Sequence, residues 1–595
     1  MGAYVETETQ HTPAARAAAD SSQSAADHVA AHFAPARATG ARGQDLSRSA
    51  LAADEVGSAH RELGCRRTDP VRVLAAALCI IVALALGVMV AISAFDHSYA
   101  DDWHYGVDAH LALEAGEGLS GAVAAALQQT LDTFESWQGT YSAIFLMSLQ
   151  PGVFSESLYG LGAVFIIAVL VLATGYAVGV AVRDVAGGDR SSWLVLTCLV
   201  LFLQTQLVPS PVEAFWWYNS AIYYTFYHSL MLFGAGLVVR LLRGRTRRGP
   251  LTAGGTAVRT LALCALAFVV AGGNFVTGIV CVLALLAVTV AGIVRVRTRA
   301  LALVPALAIL VCGFACSMAA PGNAERQVTQ FPGDGAGVVG TMARSALAGF
   351  EYSLLWINGL LVVALLLTVP VFWRLAQRNA CSYRLPALPV LVMLALFMAS
   401  FTPTFFSMGN VGPGRVQNIR YDLFVMASML CAGWLVGWVA RRWERLHGVA
   451  RAEDGAPLGA AYADLVLKRE TSQSASAPHP ARVLGAYFGA VALTLVVVLA
   501  ALAVDERHRD DLTSISAAAS LISGEAADYD EQVRARLAYL EETPESQVEV
   551  AYYTAGPKVL FMGDIRDNMD NYINFRLAQW YGRDSVIGYT PPNSE

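Results

Sequence analysis

Charged side chains are what this chain lacks most, and their scarcity excludes the usual soluble classes. They make up 15% of its 595 residues, against about 25% in an ordinary globular protein. A net charge of −6 leaves no broad basic surface for nucleic acid. Cysteines are few where a disulfide framework would need them. Cys79, Cys198, Cys264, Cys281, Cys312, Cys316 and Cys431 lie inside apolar runs, and Cys65 and Cys381 lie in polar segments read as cytoplasmic. Cys312 and Cys316 share a helix face without His or Cys companions, which reads as packing rather than as a metal site. The chain also has no phosphate loop, dinucleotide fingerprint, H-E-x-x-H or G-x-S-x-G motif, and no internal repeat.

Long apolar runs are abundant. Hydrophobic residues reach 55%, and mean hydropathy is +0.47. Runs long enough to cross a bilayer fall near 72–95, 157–182, 192–209, 221–242, 256–271, 275–294, 300–319, 350–373, 385–402, 419–440 and 482–504. The fold class expected is therefore an all-α polytopic membrane protein with about eleven spans. The run at 139–150 is too short to cross and is expected to lie at the interface or re-enter. Residues 1–70, rich in Ala, Ser, Arg and His, cannot bury a core and read as a disordered cytoplasmic segment. The first span then reads as an uncleaved anchor. Residues 72–504 form the transmembrane domain.

Arginine sets the expected orientation. Arg240–Arg248, Arg295–Arg299, Arg374–Arg384 and Arg441–Arg445 fall on one side if the N-terminus is cytoplasmic. The stretch from Asp96 to Glu156 has no Lys or Arg but nine acids. Counting 139–150 as a span would put those arginines outside. The reading is a multi-pass protein of a bacterial-type plasma membrane, with loop 96–156 and the tail 505–595 external. The tail is expected to be a small α/β unit: a helical stretch near 513–541, two strand-like runs, VEVAYYTA and KVLFMGD, and a helix over NYINFRLAQWYG. The cytoplasmic stretch 445–481 is either a partner site or a linker.

The first loop opens with FDHSYADDWHYGVDAH, concentrating Asp96, His97, Asp101, Asp102, His104, Asp108 and His110. Adjacent carboxylates repel, which raises one pKa and makes a usable base. Tyr99, Trp103 and Tyr105 interleave the acids and suggest a shaped interfacial pocket. A solvated acidic loop is the plain alternative. A divalent ion, Mg or Mn, held by Asp101, Asp102 and His104 is another, although no spacing there is diagnostic. Trp137 and Tyr141 of ESWQGTYSA, and Glu213, Trp216, Trp217 and Asn219 of PSPVEAFWWYNSAIYY, fit either an aromatic belt or sugar stacking. Among scarce external arginines, Arg326 of APGNAER and Arg415 and Arg420 of GRVQNIRYDLF suit phosphate recognition, with Asn418 beside them. Pairing of Arg420 with Asp422 or with a first-loop acid is the structural alternative.

These motifs resemble the GT-C superfamily of membrane glycosyltransferases, nearest to the GtrII-like bacterial branch. The resemblance rests on YADDWHYG after a single helix, on WQGTYSA, on APGNAER and GRVQNIRYDLF, and on the tail GDIRDNMDNYINFRLAQWYGRDSV. It covers about residues 72–595. It implies a polyprenyl-phosphate-linked sugar donor and an envelope glycan or lipid acceptor at the external face of the lipid bilayer. Asp101 or Asp102 would be the base, with Asp102 slightly preferred, and Arg415 and Arg420 would neutralise the leaving phosphate. Sparse positive charge near the first loop departs from that pattern. Two other classes also fit the residues: a transporter or flippase of lipid-linked precursors, and a non-catalytic envelope assembly protein.

Overall fold

The computed structural model describes residues 69–446, 480–504 and 509–590. The expected disorder of 1–70 and the polar stretch 445–481 fall almost wholly outside the described residues. The rest is a mostly helical bundle with little sheet. Eight of the described helices are long and apolar enough to cross a membrane: Pro70–Phe95, Glu156–Val185, Tyr218–Arg243, Ala253–Ala271, Phe275–Met318, Gly359–Arg378, Ala387–Met408 and Gly414–Leu446.

The first helix starts where the sequence says it should. Asp69 accepts from the Val71 amide, and Pro70 needs no donor at that position. Asp69 also pairs with Arg374 at 2.9 Å. Asp189, which caps the helix Arg190–Gln206, pairs with Arg378 at 2.9 Å and Arg374 at 3.5 Å. Three helix ends are thus tied together at one end of the bundle.

One expected span moves. The run at 350–373 is broken into Gly337–Leu355 and Gly359–Arg378. The side chain of Asn358 accepts from the Leu361 amide and starts a new helix there, a stop signal that an apolar count passes over. Glu351 lies exposed on the first of the two. The long helical segment Phe275–Met318 leaves helical geometry at Val296 (φ −141°, ψ 47°), within the Arg295–Arg299 cluster that separates its two apolar runs.

The short run at 139–150 forms an eight-residue helix, Tyr141–Ser148, far below membrane thickness. It is docked by its start. The Ser142 amide donates to the Gly272 carbonyl at 3.1 Å, and Tyr141 donates to the Phe268 carbonyl at 2.8 Å. Gly139 sits so close to the Ser317 carbonyl that a Cβ there would overlap it, and Ala320 closes the other side. Gly139→Ala is therefore expected to cost about 1–3 kcal/mol through overpacking. Thermal melting in detergent would check this against Gly254→Ala, where a Cβ meets nothing.

The C-terminal unit follows the expectation in part. Its helical stretch is divided at Gly524, which stands at φ 87° between Thr513–Ser523 and Glu525–Glu542. VEVAYYTA supplies a strand, Gln547–Ala551, but KVLFMGD does not. The strand's partner is Ser585–Tyr589, in parallel register, reached through the helix Tyr572–Trp580. The apolar character of KVLFMGD has another cause: Val559 and Leu560 are buried against the main core.

Candidate active site

The acidic pair is delivered by a strained turn. Ala100 holds φ 49° and ψ −97°, a conformation that costs about 1–3 kcal/mol for a residue with a Cβ. The helix Asp101–Glu114 begins immediately after it. Around the turn, Tyr99 and Asp102 bond reciprocally: the Tyr99 amide donates to the Asp102 carboxylate at 2.9 Å, and the Asp102 amide donates to the Tyr99 carbonyl at 3.1 Å.

The two aspartates have different surroundings. Asp102 is fully buried. Its oxygens also accept from the Tyr159 hydroxyl at 2.7 Å and the Asn219 amide at 3.2 Å. The Tyr159 hydroxyl in turn accepts from the Tyr218 amide at 2.9 Å. Asp102 thus joins the first loop to two other helix starts. Burial is the largest influence on its pKa and pushes it up to about 8, against the lowering effect of its three donors. No oxygen of Asp102 is open to a substrate. Asp101 is half-buried and accepts from the Tyr572 hydroxyl at 2.8 Å.

A buried carboxyl with a raised pKa makes stability fall as pH rises. Between its unfolded value of 3.8 and its folded value of about 8, the folded chain keeps a proton that the unfolded chain has released. Asp102 therefore contributes a stability loss of about 1.4 kcal/mol per pH unit across that window. Asp102→Asn removes this slope. The stability difference between wild type and Asp102→Asn is expected to shrink steadily from pH 5 to pH 8. Denaturant titration at several pH values would check it, and a pH-independent difference would reject it.

Two arginines stand near Asp101. Arg415 bonds Glu213 at 3.1 Å and lies 5.3 Å from the centre of the Trp217 ring. Arg326 bonds the Gln138 side chain at 3.0 Å and lies 5.0 Å from the Trp137 ring centre. Its Nε is buried without a partner. Both guanidinium charges act on the hydroxyls of Tyr105, Tyr223 and Tyr224. The Asp101 charge acts on Tyr105, Tyr572 and Arg415. One acid, two arginines and a tyrosine wall therefore converge. The motifs WQGTYSA and APGNAER meet here: besides Arg326 on Gln138, Asn323 accepts from the Gly139 amide at 3.3 Å. No known family, curated protein or solved structure matches this chain.

Other sequence candidates lie elsewhere or act as supports. Arg420 is fully buried. Its donors go to the Ser400 and Val411 carbonyls, Gln417 and Thr404, and Phe401 lies 4.0 Å beneath it. It ties Ala387–Met408 to Gly414–Leu446 and has no donor facing Asp101. Its expected pairing with Asp422 is also not made. Asn418 clamps the Ser210 backbone by two bonds of 2.8 Å. Trp216 is fully buried and donates to Ser93 at 3.0 Å. Tyr141 packs on Phe268. Trp103 packs into the core shared with the C-terminal unit. Trp217 donates to the Tyr99 carbonyl at 3.2 Å. Asn219 offers its backbone to Asp102, while both polar atoms of its side chain are buried without partners.

His104 lies 4.6 Å from Tyr105 and 6.0 Å from Tyr572, ring centre to ring centre. Burial first, and the Arg576 charge second, lower its pKa to about 4, so it is neutral at pH 7. The proposed ligand set for Mg or Mn does not fit this geometry. Asp102 is saturated by donors, and no three His, Cys, Asp or Glu side chains converge as metal ligands among the described residues. His97 bridges instead, contacting Glu156 at 3.1 Å and Asp530 at 2.9 Å and so joining the first loop to the C-terminal unit.

The sequence reading missed Tyr572, Gln138 and Tyr159. Only the aromatic helix motif in the tail hinted at the first. A cavity of about 780 Å³ among the described residues is not at Asp101. It lies between Gly359–Arg378, Pro480–Val504 and the C-terminal unit, and it touches the region of Arg415 only through the loop that carries Ser210.

Proposed function

We propose that this protein is a membrane glycosyltransferase of GT-C type, acting on a polyprenyl-phosphate sugar donor. The observation that carries the reading is the convergence of the half-buried Asp101 with Arg326 and Arg415 at a tyrosine-lined place beside the starts of the apolar helices Tyr218–Arg243 and Gly414–Leu446. In this reading Asp101 removes the proton from an acceptor hydroxyl as that oxygen attacks the anomeric carbon. The bond from the anomeric carbon to the phosphate oxygen breaks, and polyprenyl phosphate leaves with its new charge held by Arg326 and Arg415. Asp102 holds the turn that aims Asp101. The acceptor is an envelope glycan or lipid at the external face of a plasma membrane. The N-terminus is cytoplasmic and the C-terminal unit external.

About eleven crossings suit this arrangement. The run Phe275–Met318 folds back on itself and crosses twice. Arg190–Gln206 and Pro480–Val504, of 17 and 25 residues, each cross once. A second reading, transport of a lipid-linked precursor, draws on Asp422, His228 and Gln204. All three are buried inside the bundle, where ionisable groups usually serve a pathway. The deciding experiment supplies protein, in bilayer discs and in sealed vesicles, with labelled polyprenyl-phosphate hexoses and pentoses. Release of polyprenyl phosphate supports transfer. Movement of intact donor across a vesicle without bond cleavage supports transport and removes the first reading.

A further inference from the structure

We infer that the groove between the helices Asp101–Glu114 and Tyr572–Trp580 binds an uncharged saccharide chain. Its role as the acceptor rests on the transfer reading above. The two helices run side by side in the same direction. Tyr572 meets Asp101 at one end, and His110 stacks on Trp580 at the other, ring centres 4.2 Å apart and 9° from parallel. Asp101, His104 and Asp108 follow helical spacing and share one face. Tyr572, Phe575, Arg576 and Gln579 answer them from the second helix.

This groove keeps aromatic surface in water beside the candidate base. Tyr572 is 43% exposed and Phe575 is 54% exposed, on a helix outside the membrane-crossing set. The Arg576 guanidinium lies 5.3 Å from the Tyr572 ring centre and 5.2 Å from that of Phe575. It spends one bond on Gln579, at 2.9 Å, while its Nε is buried without a partner. The Nδ1 of His104 is buried and unpartnered as well. The half-buried Asp101 and Arg576 and the exposed Asp108 thus sit beside open aromatic faces. A pyranose ring offers that pairing, stacking its C–H face while its hydroxyls donate to carboxylates and accept from a guanidinium. The charge balance selects against an anionic glycan. Asp101, Asp108 and Asp132 surround the groove, and Arg576 is the cation that acts on Asp108 and His104. Arg415, which feels the Asp101 charge, and Arg326, which shares the neighbour Tyr105 with it, stand on other elements, which leaves this side for a second substrate.

The test is direct binding by the full chain in bilayer discs. End-labelled gluco-, manno-, galacto- and arabino-oligosaccharides would be titrated by fluorescence polarisation, with oligogalacturonate as the acidic probe. At least one neutral series is expected to bind and oligogalacturonate is not. Phe575→Ala and Arg576→Ala are each expected to weaken the neutral probe at least about tenfold. Phe406→Ala, an exposed aromatic elsewhere, is expected to leave it unchanged. If no neutral series binds, or if both groove variants bind as wild type does, the inference is overturned. If binding is lost in the variants but wild type cleaves no donor, the groove stands as a glycan site and the transferase reading falls.

Discussion

Asp101→Asn is expected to lower sugar transfer by about 10²- to 10⁴-fold, the range general-base catalysis supplies, with melting temperature unchanged. The substituted amide still accepts from the Tyr572 hydroxyl, so the contact at 2.8 Å survives while the base is lost. Asp102→Asn should behave in the opposite way. Asp102 is sealed behind Tyr99, Tyr159 and Asn219, and all three are donors. An amide nitrogen turned toward any of them leaves buried donors opposed, at about 1–3 kcal/mol. Purified variants compared for donor turnover and for thermal melting would separate the two roles. Full activity in Asp101→Asn would remove it as the base. Stability equal to wild type in Asp102→Asn at pH 5, where the wild-type advantage is expected to be largest within the range compared, would remove it as the buried tie.

Arg415→Ala is expected to reduce turnover by about 10²- to 10³-fold, as loss of a single charge-stabilising donor does elsewhere. Two effects combine. The phosphate loses a cation, and Glu213, buried and bonded to Arg415 at 3.1 Å, is left as an uncompensated carboxylate nearby. Arg415→Gln with Glu213→Gln separates them, because it removes the cation without leaving the acid. The double variant should stay as inactive as Arg415→Ala if phosphate neutralisation is the role. Recovery of activity in the double variant would show that Arg415 serves only Glu213. Arg420→Ala offers a contrast: its donors end on carbonyls within the bundle, so its cost should appear as instability in detergent.

Much of the bundle was legible because apolar runs report burial in lipid or core directly. The same signal fails wherever a polar residue interrupts a helix from within, as Asn358 does between Gly337–Leu355 and Gly359–Arg378. It fails again in KVLFMGD, where Val559 and Leu560 are apolar to fill a core, not to form a strand. Within the site, the sequence gathers Asp101 and Asp102 but cannot divide their roles. That division depends on Tyr159 and Asn219, which lie 57 and 117 residues away from Asp102. Arg415 and Arg420 read alike in sequence. Five residues along a helix turn one toward Trp217 and the other into the bundle, a distinction set by packing alone.

The hydroxyl that touches Asp101 belongs to a residue 471 positions later in the chain. A ribosome delivers the tyrosine long after the acid. During all the insertion steps between them, the acid is present without its tyrosine. A chain halted before Tyr572 can settle its apolar helices, yet it lacks one wall of the place where chemistry is proposed. Synthesis through Tyr572 thereby becomes a condition for the reactive geometry, and fragments abandoned before it carry the acid without the assembled site.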